Sequence, residues 1–377
     1  MSHKDGCSLS DSPRDRQEAF WTWTHHWLCG CLRQLLELVL KGEQQSRVGA
    51  GPNERSDRRT AWRNGYYARQ LTTPHGRLSV KVPRCRSCGL DCSMLFDPYQ
   101  RRVADVDRIL LQAYLAGTST RATAQLAEQV FGGTLSHQTV SQLGRWLDEQ
   151  LVAWRRRPIE PVYKVVYIDG MHVDVHGGDL NVMLVMGMTS DGQKEVLGFA
   201  ANSGEQCKEL LWDLRRRGLE GVELFISDQS PAIRSGLAEV FPEVPWQHCT
   251  FHRLQALARD VGQKDHRWAM VKEAARIFRC PTKLAAVDQA VAWGRRWRGQ
   301  EPWAVQQFMS DIGDSLMFYG LPKDWWKRVR TNNYLERLIR TLRMRLDTMG
   351  CHYDKPAVER AVFGQLARWH LLGTYTQ

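Results

Sequence analysis

The sequence predicts an α/β domain preceded by a mainly helical region. Three observations carry this. Residues 162–201 hold three apolar runs, VYKVVYID, LNVMLVMGMTS and KEVLGFAA, separated by turn residues. After them helix and strand patterns alternate, GEQCKELLWDLRRRG, then VELFISD, then SPAIRSGLAEVF. Ahead of them, residues 103–151 contain apolar residues at helical spacing in three short segments.

Taken in order, residues 1–20 are polar and are expected to form a flexible N-terminus. Residues 21–102 read as a helix around HHWLCGCLRQLLELVLKGE followed by a small β element at the alternating GRLSVKVPR. In residues 103–157, VADVDRILLQAYLAG stops at Gly117, TSTRATAQLAEQVFGG starts at cap residues and stops at two glycines, and LSHQTVSQLGRWLDEQL starts again at a serine. Short helices joined by tight turns match a helix-turn-helix, whose last helix would present His137, Gln138, Ser141 and Gln142 to base edges or phosphates. Arg121, at the start of the middle helix, joins this candidate DNA-binding set. A three-helix bundle without DNA contact is the alternative. The basic, Pro-bounded link WRRRPIEP leads into the α/β part, residues 158–252. Residues 253–330 look helical and Trp-rich, and residues 331–377 begin with an Asn-rich start and a strongly basic helix.

The chain has 377 residues, with 52 Lys plus Arg against 41 Asp plus Glu, a formal charge of +11. That balance suits a polyanionic partner, or is only a solvated positive surface. No run approaches the ~18 apolar residues of a membrane span, and the N-terminus lacks the apolar core of a secretory leader. Ten scattered cysteines read as reduced thiols in a cytosolic compartment.

Three carboxylates stand out. Asp169 closes KVVYID and Asp228 closes ELFISD; both read as strand C-termini, where open α/β sheets gather functional groups. Either alone is equally a cap, and Ser230-Pro231 after Asp228 is a helix-start signature. Glu336, in TNNYLERLIRTLRMR, flanks the apolar stripe Leu335, Leu338, Ile339 and Leu342. Alone it reads as the i,i+4 partner of Arg340. Together, the three could hold two divalent cations about 3.5–4 Å apart. Hard carboxylate oxygens suit Mg2+ or Mn2+. Such a centre would act on a phosphodiester, and Arg337, Arg340, Arg343 and Arg345 on the same helix would meet a phosphate backbone.

The blocks RNGYYARQLTTPHGRLSVKVPR, AGTSTRATAQL, SHQTVSQL, EVLGFAANSGEQ, LRRRGLEGVELFISD, VFPEVPWQHCTFH and TNNYLERLIRTLRMR occur in this order over most of the chain. As an ordered set they resemble bacterial Mutator-type insertion-sequence transposases. The resemblance implies an RNase H-like catalytic domain with an α-helical insertion before the glutamate, and an Asp–Asp–Glu triad falling on Asp169, Asp228 and Glu336. It implies binding of double-stranded DNA at the element's terminal inverted repeats, then metal-dependent cleavage and strand transfer into target DNA. A homodimer or higher oligomer in the bacterial cytoplasm, associated with the nucleoid, goes with that reaction. The family's Cys-x-x-His element falls on Cys249 and His252, with His248 as an alternative participant; the parallel implies support of the metal ligands or contact with DNA rather than direct ligation.

Two departures are visible. Gln229 stands where the family usually has glycine, and HRLQAL replaces an Arg-Asn pair. They are the features that favour a binding protein unable to cut. A nuclease using the same carboxylates without strand transfer is the enzyme rival.

Two further groups invite metal. Cys85, Cys88 and Cys92, with His75 upstream, have the makings of a Cys3His zinc site, although ordinary free thiols are the favoured reading. His172, Asp174 and His176 alternate after an apparent glycine turn at Gly170. Imidazoles at i and i+4 of a strand lie ~13 Å apart, too far for one ion, so a polar, exposed sheet edge is expected there.

Overall fold

The computed structural model describes residues 12–86, 95, 97, 99–133, 135–201, 204–350, 352 and 354–370. The chain divides into two compact units, the first ending at Leu143 and the second starting at Gly144.

The first unit begins with α1 (Pro13–Val48). The Ser12 hydroxyl accepts the Asp15 N–H, and the Asp15 carboxylate accepts the Ser12 N–H. Residues 13–20, expected to be flexible, are therefore helical; the polar SPRD stretch is a capping box rather than a loose tail. Leu32, Leu36 and Leu40 of α1 pack on Leu71, Leu78, Val80 and Val82. These belong to an antiparallel hairpin of β1 (Trp62–Thr73) and β2 (Gly76–Arg86).

The hairpin register separates the suggested zinc ligands. His75 lies in the turn between Thr73 and Gly76, whereas Cys85 pairs with Arg63 near the other end. At ~3.3 Å per residue that is about 30 Å along the strand, so no single ion reaches both. Cys88 and Cys92 lie outside the described residues.

Three helices follow: α2 (Ala104–Leu115), α3 (Thr120–Phe131) and α4 (His137–Arg156). Ser119 caps α3, and Gly132 ends it in a left-handed conformation, φ 66°. Val106, Leu110, Ala127 and Phe131 form the core beneath them. Arg121, His137, Gln138, Ser141 and Gln142 are exposed. Helix α4 continues without a break across the division between the units. Its C-terminal half belongs to the second unit because Trp154 is fully buried there, with ring centroids 5.5 Å from Phe199 and 5.9 Å from Phe363. Arg360 grips Asp148 through two 2.7 Å bonds. The expected boundary between residues 157 and 158 thus lies just past the end of α4, whereas the structural division falls within the helix.

In the second unit, β3 (Tyr163–Val175), β4 (Gly178–Thr189) and β5 (Lys194–Ala201) form an antiparallel meander. Helix α5 (Gly204–Arg216) leads to β6 (Leu224–Ser227), and α6 (Pro231–Val240) leads to β7 (Trp246–His248). Among the described residues these strands make one mixed sheet in the order β5-β4-β3-β6-β7, with β6 parallel to both β3 and β7. Val166, Ile168, Val185, Leu197 and Phe225 meet α5 and α6 on one face through Leu211, Leu214, Ile233 and Leu237.

Strand β3 does not turn at Gly170. Met171 and Val173 stay buried while His172 and Asp174 stay exposed, and β4 pairs with it as far as Val175↔Gly178. A Cβ at Gly170 would sit 2.9 Å from Asn181 Oδ1, the end of an exposed side chain that can turn aside. His172 meets Asp179 at 3.0 Å, and His172, Asp174 and His176 lie exposed along the outer part of this hairpin.

The predicted helical insertion consists of α7 (Thr250–Asp260), α8 (Lys264–Ile277), α9 (Lys283–Trp297), α10 (Pro302–Ser310) and α11 (Trp326–Val329). The chain returns with α12 (Asn333–Met349), which packs on β3, and α13 (Lys355–Arg368). Two buried polar side chains fasten the insertion. Gln247 on β7 donates to Val329 O and accepts the Phe318 N–H, both at 2.7 Å. Arg253 on α7 donates to Ser315 Oγ, Phe308 O and Asp311 O at 2.7–2.8 Å. Arg253→Ala strands those acceptors out of water and should cost about 3 kcal/mol or more; urea unfolding checks this, with Arg253→Lys recovering only part of the loss.

Candidate active site

The site starts from strand register. On parallel β3 and β6, Val165 lies opposite Leu224 and Tyr167 opposite Ile226. Carried two residues on, the same register brings Asp169 level with Asp228, on strands about 4.8 Å apart. Side chains alternate along a strand, so Asp169 points away from the α5–α6 layer that receives Ile168. It therefore lies on the side of the sheet where α12 packs. Asp169 is not at a strand end, as the sequence suggested. It sits in mid-strand, where β6 stops and β3 runs on with β4 alone.

Asp169 is 7% exposed and accepts the Gly170 N–H at 2.9 Å. Burial, followed by the negative charge of Asp228, pushes its acid up to about 7, against the Gly170 N–H and Arg343. Asp228 follows β6 directly, is half-buried, and accepts the Ser230 N–H at 3.1 Å just before α6. The cap of α6 is Ser230, so Asp228 braces the turn into the helix without capping it.

Glu336 lies in the first turn of α12, beside the buried stripe of Leu335, Leu338, Ile339 and Leu342. Burial pushes its acid upward, and the charge of Asp169 adds to this; His252 and Arg340 oppose it. The predicted carboxylates are thus electrostatic neighbours brought from three segments. Arg340 and Arg343 reach the same neighbourhood, and Arg337, Arg340, Arg343 and Arg345 are exposed.

Cys249 and His252 stand on the cap and first turn of α7, facing Glu336. The Cys249 Sγ is 4.0 Å and the His252 Nε2 3.8 Å from Glu336 Oε1, and these three ligand-type atoms lie within 4.8 Å of one another. Burial pushes the Cys249 thiol up to about 12, which keeps it a thiol, able to donate to the carboxylate. His248 is buried on β7 and stacked on Trp246, and burial pushes it down to about 3, so it stays neutral.

Sequence reading missed Asn332. Fully buried, it caps α12, receives the Glu336 N–H at 3.0 Å, gives its own N–H to Cys249 Sγ at 3.2 Å, and donates from Nδ2 to Ile168 O at 3.4 Å. It ties α12 to the strand that carries Asp169 and to the helix that carries His252. In the sequence it reads only as an Asn-rich helix start.

Among the described residues the three ligand-type atoms that lie within 4.8 Å of one another are those of Cys249, His252 and Glu336, while Asp169 lies in the field of Asp228 and Glu336 in that of Asp169. Carboxylate oxygens, which Asp169, Asp228 and Glu336 offer, are the donors that a hard divalent cation such as Mg2+ or Mn2+ takes. Without such an ion, Asp169 is held protonated below about pH 7. Its folded acid lies above the ordinary aspartate value of about 3.9, so the stabilisation is complete below that value and is lost as pH rises through 7. Asp169→Asn should therefore stabilise chelator-treated protein relative to wild type, by little at pH 4 and by on the order of 3 kcal/mol above pH 7. Thermal unfolding in EDTA across pH 4–8 checks it, and added Mg2+ should raise the wild-type melting temperature and not the variant's.

A family model described as "Transposase, Mutator family" matches residues 10–370. The chain is 30% identical over 321 residues to the transposase for insertion sequence element ISRM5 of Rhizobium meliloti, covering 83% of this chain and 80% of that one. It is 31% identical over 327 residues to the IS406 transposase of Burkholderia multivorans, covering 83% of each. With the transposase for IS256 in transposon Tn4001 of Staphylococcus aureus it shares 30% identity over 351 residues, 90% of this chain and 89% of that one. Matched over nearly its whole length, and along the blocks that carry the three carboxylates, the chain belongs to the Mutator family of transposases.

Proposed function

We propose that this transposase cuts and joins DNA with Asp169, Asp228 and Glu336, and that its N-terminal unit recognises the terminal inverted repeats of its element. The observation that carries the reading is the parallel register setting Asp169 level with Asp228, with Glu336 in the field of Asp169. The sheet order, three antiparallel strands followed by two parallel ones, supports an RNase H-like reading of the second unit. The succession α2, α3 and α4, with His137, Gln138, Ser141 and Gln142 exposed on the first turns of α4, supports the helix-turn-helix reading of the first.

Asp169, Asp228 and Glu336 would hold Mg2+ or Mn2+, which when bound supplies activation of water or a 3′-hydroxyl and neutralises the leaving oxygen. The protein's own part is positioning. Asn332 fixes the start of α12, and the Cys249 thiol and His252 ring hold the Glu336 carboxylate from one side. Arg340 and Arg343 stand where the phosphate of the scissile strand would lie, and Arg337 and Arg345 extend the cationic helix along the backbone. Cutting and joining two element ends calls for at least a dimer.

The test combines a labelled repeat end, a supercoiled target plasmid and Mg2+ or Mn2+. Wild-type protein should give joined products, and Asp169→Asn should give none while still retarding the repeat end in a gel. Cleavage without joining would reassign the protein as a nuclease, and binding without metal-dependent products would remove the catalytic reading. Cys249→Ala and His252→Ala should slow joining about 10- to 100-fold, as loss of a ligand's supporting partner does, with repeat binding retained.

A further inference from the structure

The two helices that frame Glu336 start at the same place. Asn332, the cap of α12, gives its N–H to the Sγ of Cys249, the cap of α7. Thr250 gives both its N–H and its hydroxyl to Arg330 O, at 3.2 and 3.0 Å. Two residues beyond each cap stands an aromatic side chain, Phe251 on α7 and Tyr334 on α12, and each is 45% exposed. The Phe251 ring lies 5.9 Å from the ring of His252, edge to face, and His252 reaches Glu336. Over the Tyr334 ring, at 4.4 Å from its centroid, lies the ammonium of Lys194. Scattered exposed aromatics are ordinary on a protein surface. These are not scattered. They occupy matching positions on the first turns of touching helices, beside the acidic centre and next to the exposed Arg337 and Arg340. Aromatic faces set among cations are the elements from which proteins bind unpaired nucleic acid, because every base has a face to stack and every nucleotide a phosphate.

We propose that Phe251 and Tyr334 form a stacking platform for an unpaired nucleobase at the DNA end being cut. Stacking offsets the opening of the last base pairs and so brings the scissile phosphate of a frayed strand down to Glu336. Lys194 holds the Tyr334 ring and faces the same strand. The inference rests on the DNA-cutting reading above.

The experiment compares cleavage, in Mn2+, of a fully paired repeat end and of the same end with mismatches at the scissile position. It uses full-length wild type, Phe251→Ala, Tyr334→Ala, Phe251→Trp and Tyr334→Phe. Stacking strength sets the expected size, and loss of one aromatic face should slow cutting of the paired end about tenfold or more. The mismatched end should restore most of that rate to the alanine variants, and the aromatic replacements should stay near wild type on both substrates. The platform is overturned if the alanine variants cut paired ends at the wild-type rate. It is equally overturned if they lose as much on mismatched ends as on paired ones, or if Phe251→Trp is as slow as Phe251→Ala. A wild type that cuts neither substrate would instead overturn the DNA-cutting reading on which the platform depends.

Discussion

A carboxylate buried in the middle of a strand is expensive, and this fold is arranged around one. Asp169 is almost sealed from water, has a backbone N–H as its nearest donor, and feels the charge of Asp228 from the adjoining strand. Hydrophobic side chains on either side, Tyr167 and Met171, are fully buried and make good use of the same strand. A leucine at 169 would serve the core better. That an acid sits there, with its proton held to near neutrality, marks a place where the chain gives up stability for a hard, negatively charged pocket.

The remaining architecture follows from delivering two more groups to that point. Asp228 arrives by pairing, since parallel β6 ends one residue earlier. Glu336 cannot arrive by pairing, because it comes from a helix more than a hundred residues along the chain. It arrives through a knot of buried polar contacts: Asn332 to Ile168 O, Asn332 N–H to Cys249 Sγ, Gln247 to the segments just before α12. Each member of this knot is buried and hydrogen-bonded, so sliding α12 by one turn would strand several donors at once. The long insertion between α7 and α12 is tolerable for the same reason. Its two ends are fastened to one another by Thr250 and Arg330, and loop closure over a long excursion grows only slowly with length.

The legible part of the molecule was whatever local pattern decides. Apolar runs marked β3, β4, β5 and β6, and glycine and serine punctuation marked α3. The apolar stripe of α12 placed Glu336 beside it, and the carboxylates were visible because acids interrupt those patterns. What local pattern could not supply was pairing. β1 is masked because its RNGYYARQL run is basic, and it becomes a strand only by lying against β2. Asp169 seemed to end its strand because hydrophobicity falls off after it, but the hairpin with β4 continues on alternation alone. The boundary expected after residue 157 kept all of α4 with the region before it, whereas Trp154 lies in the core of the next unit. The loose N-terminus and the zinc alternative to free thiols both came from reading composition and spacing alone. A capping box looks like a polar tail in composition, and His75 and Cys85 are close in sequence yet at opposite ends of a hairpin. Asn332 was invisible because its role rests on two contacts to distant segments, Cys249 and Ile168.

The two departures from the family's usual pattern also change meaning once the contacts are known. Gln229 follows Asp228 directly, and its amide reaches out to Asp311, at the end of α10, at 3.0 Å. The Asp228 carboxylate beside it accepts the Ser230 N–H instead. In the altered HRLQAL stretch, Arg253 is the residue that clasps the same region, through Phe308 O, Asp311 O and Ser315. Gln229 and Arg253 thus both contact the segment of residues 308–315 in the helical part that follows α7. A chain that had lost its chemistry would be expected to relax the acidic pocket first, because the buried acid is the costly feature and its loss would stabilise the fold. Here Asp169, Asp228 and Glu336 are all present with their polar neighbours, and the two departures noted above lie outside those three positions.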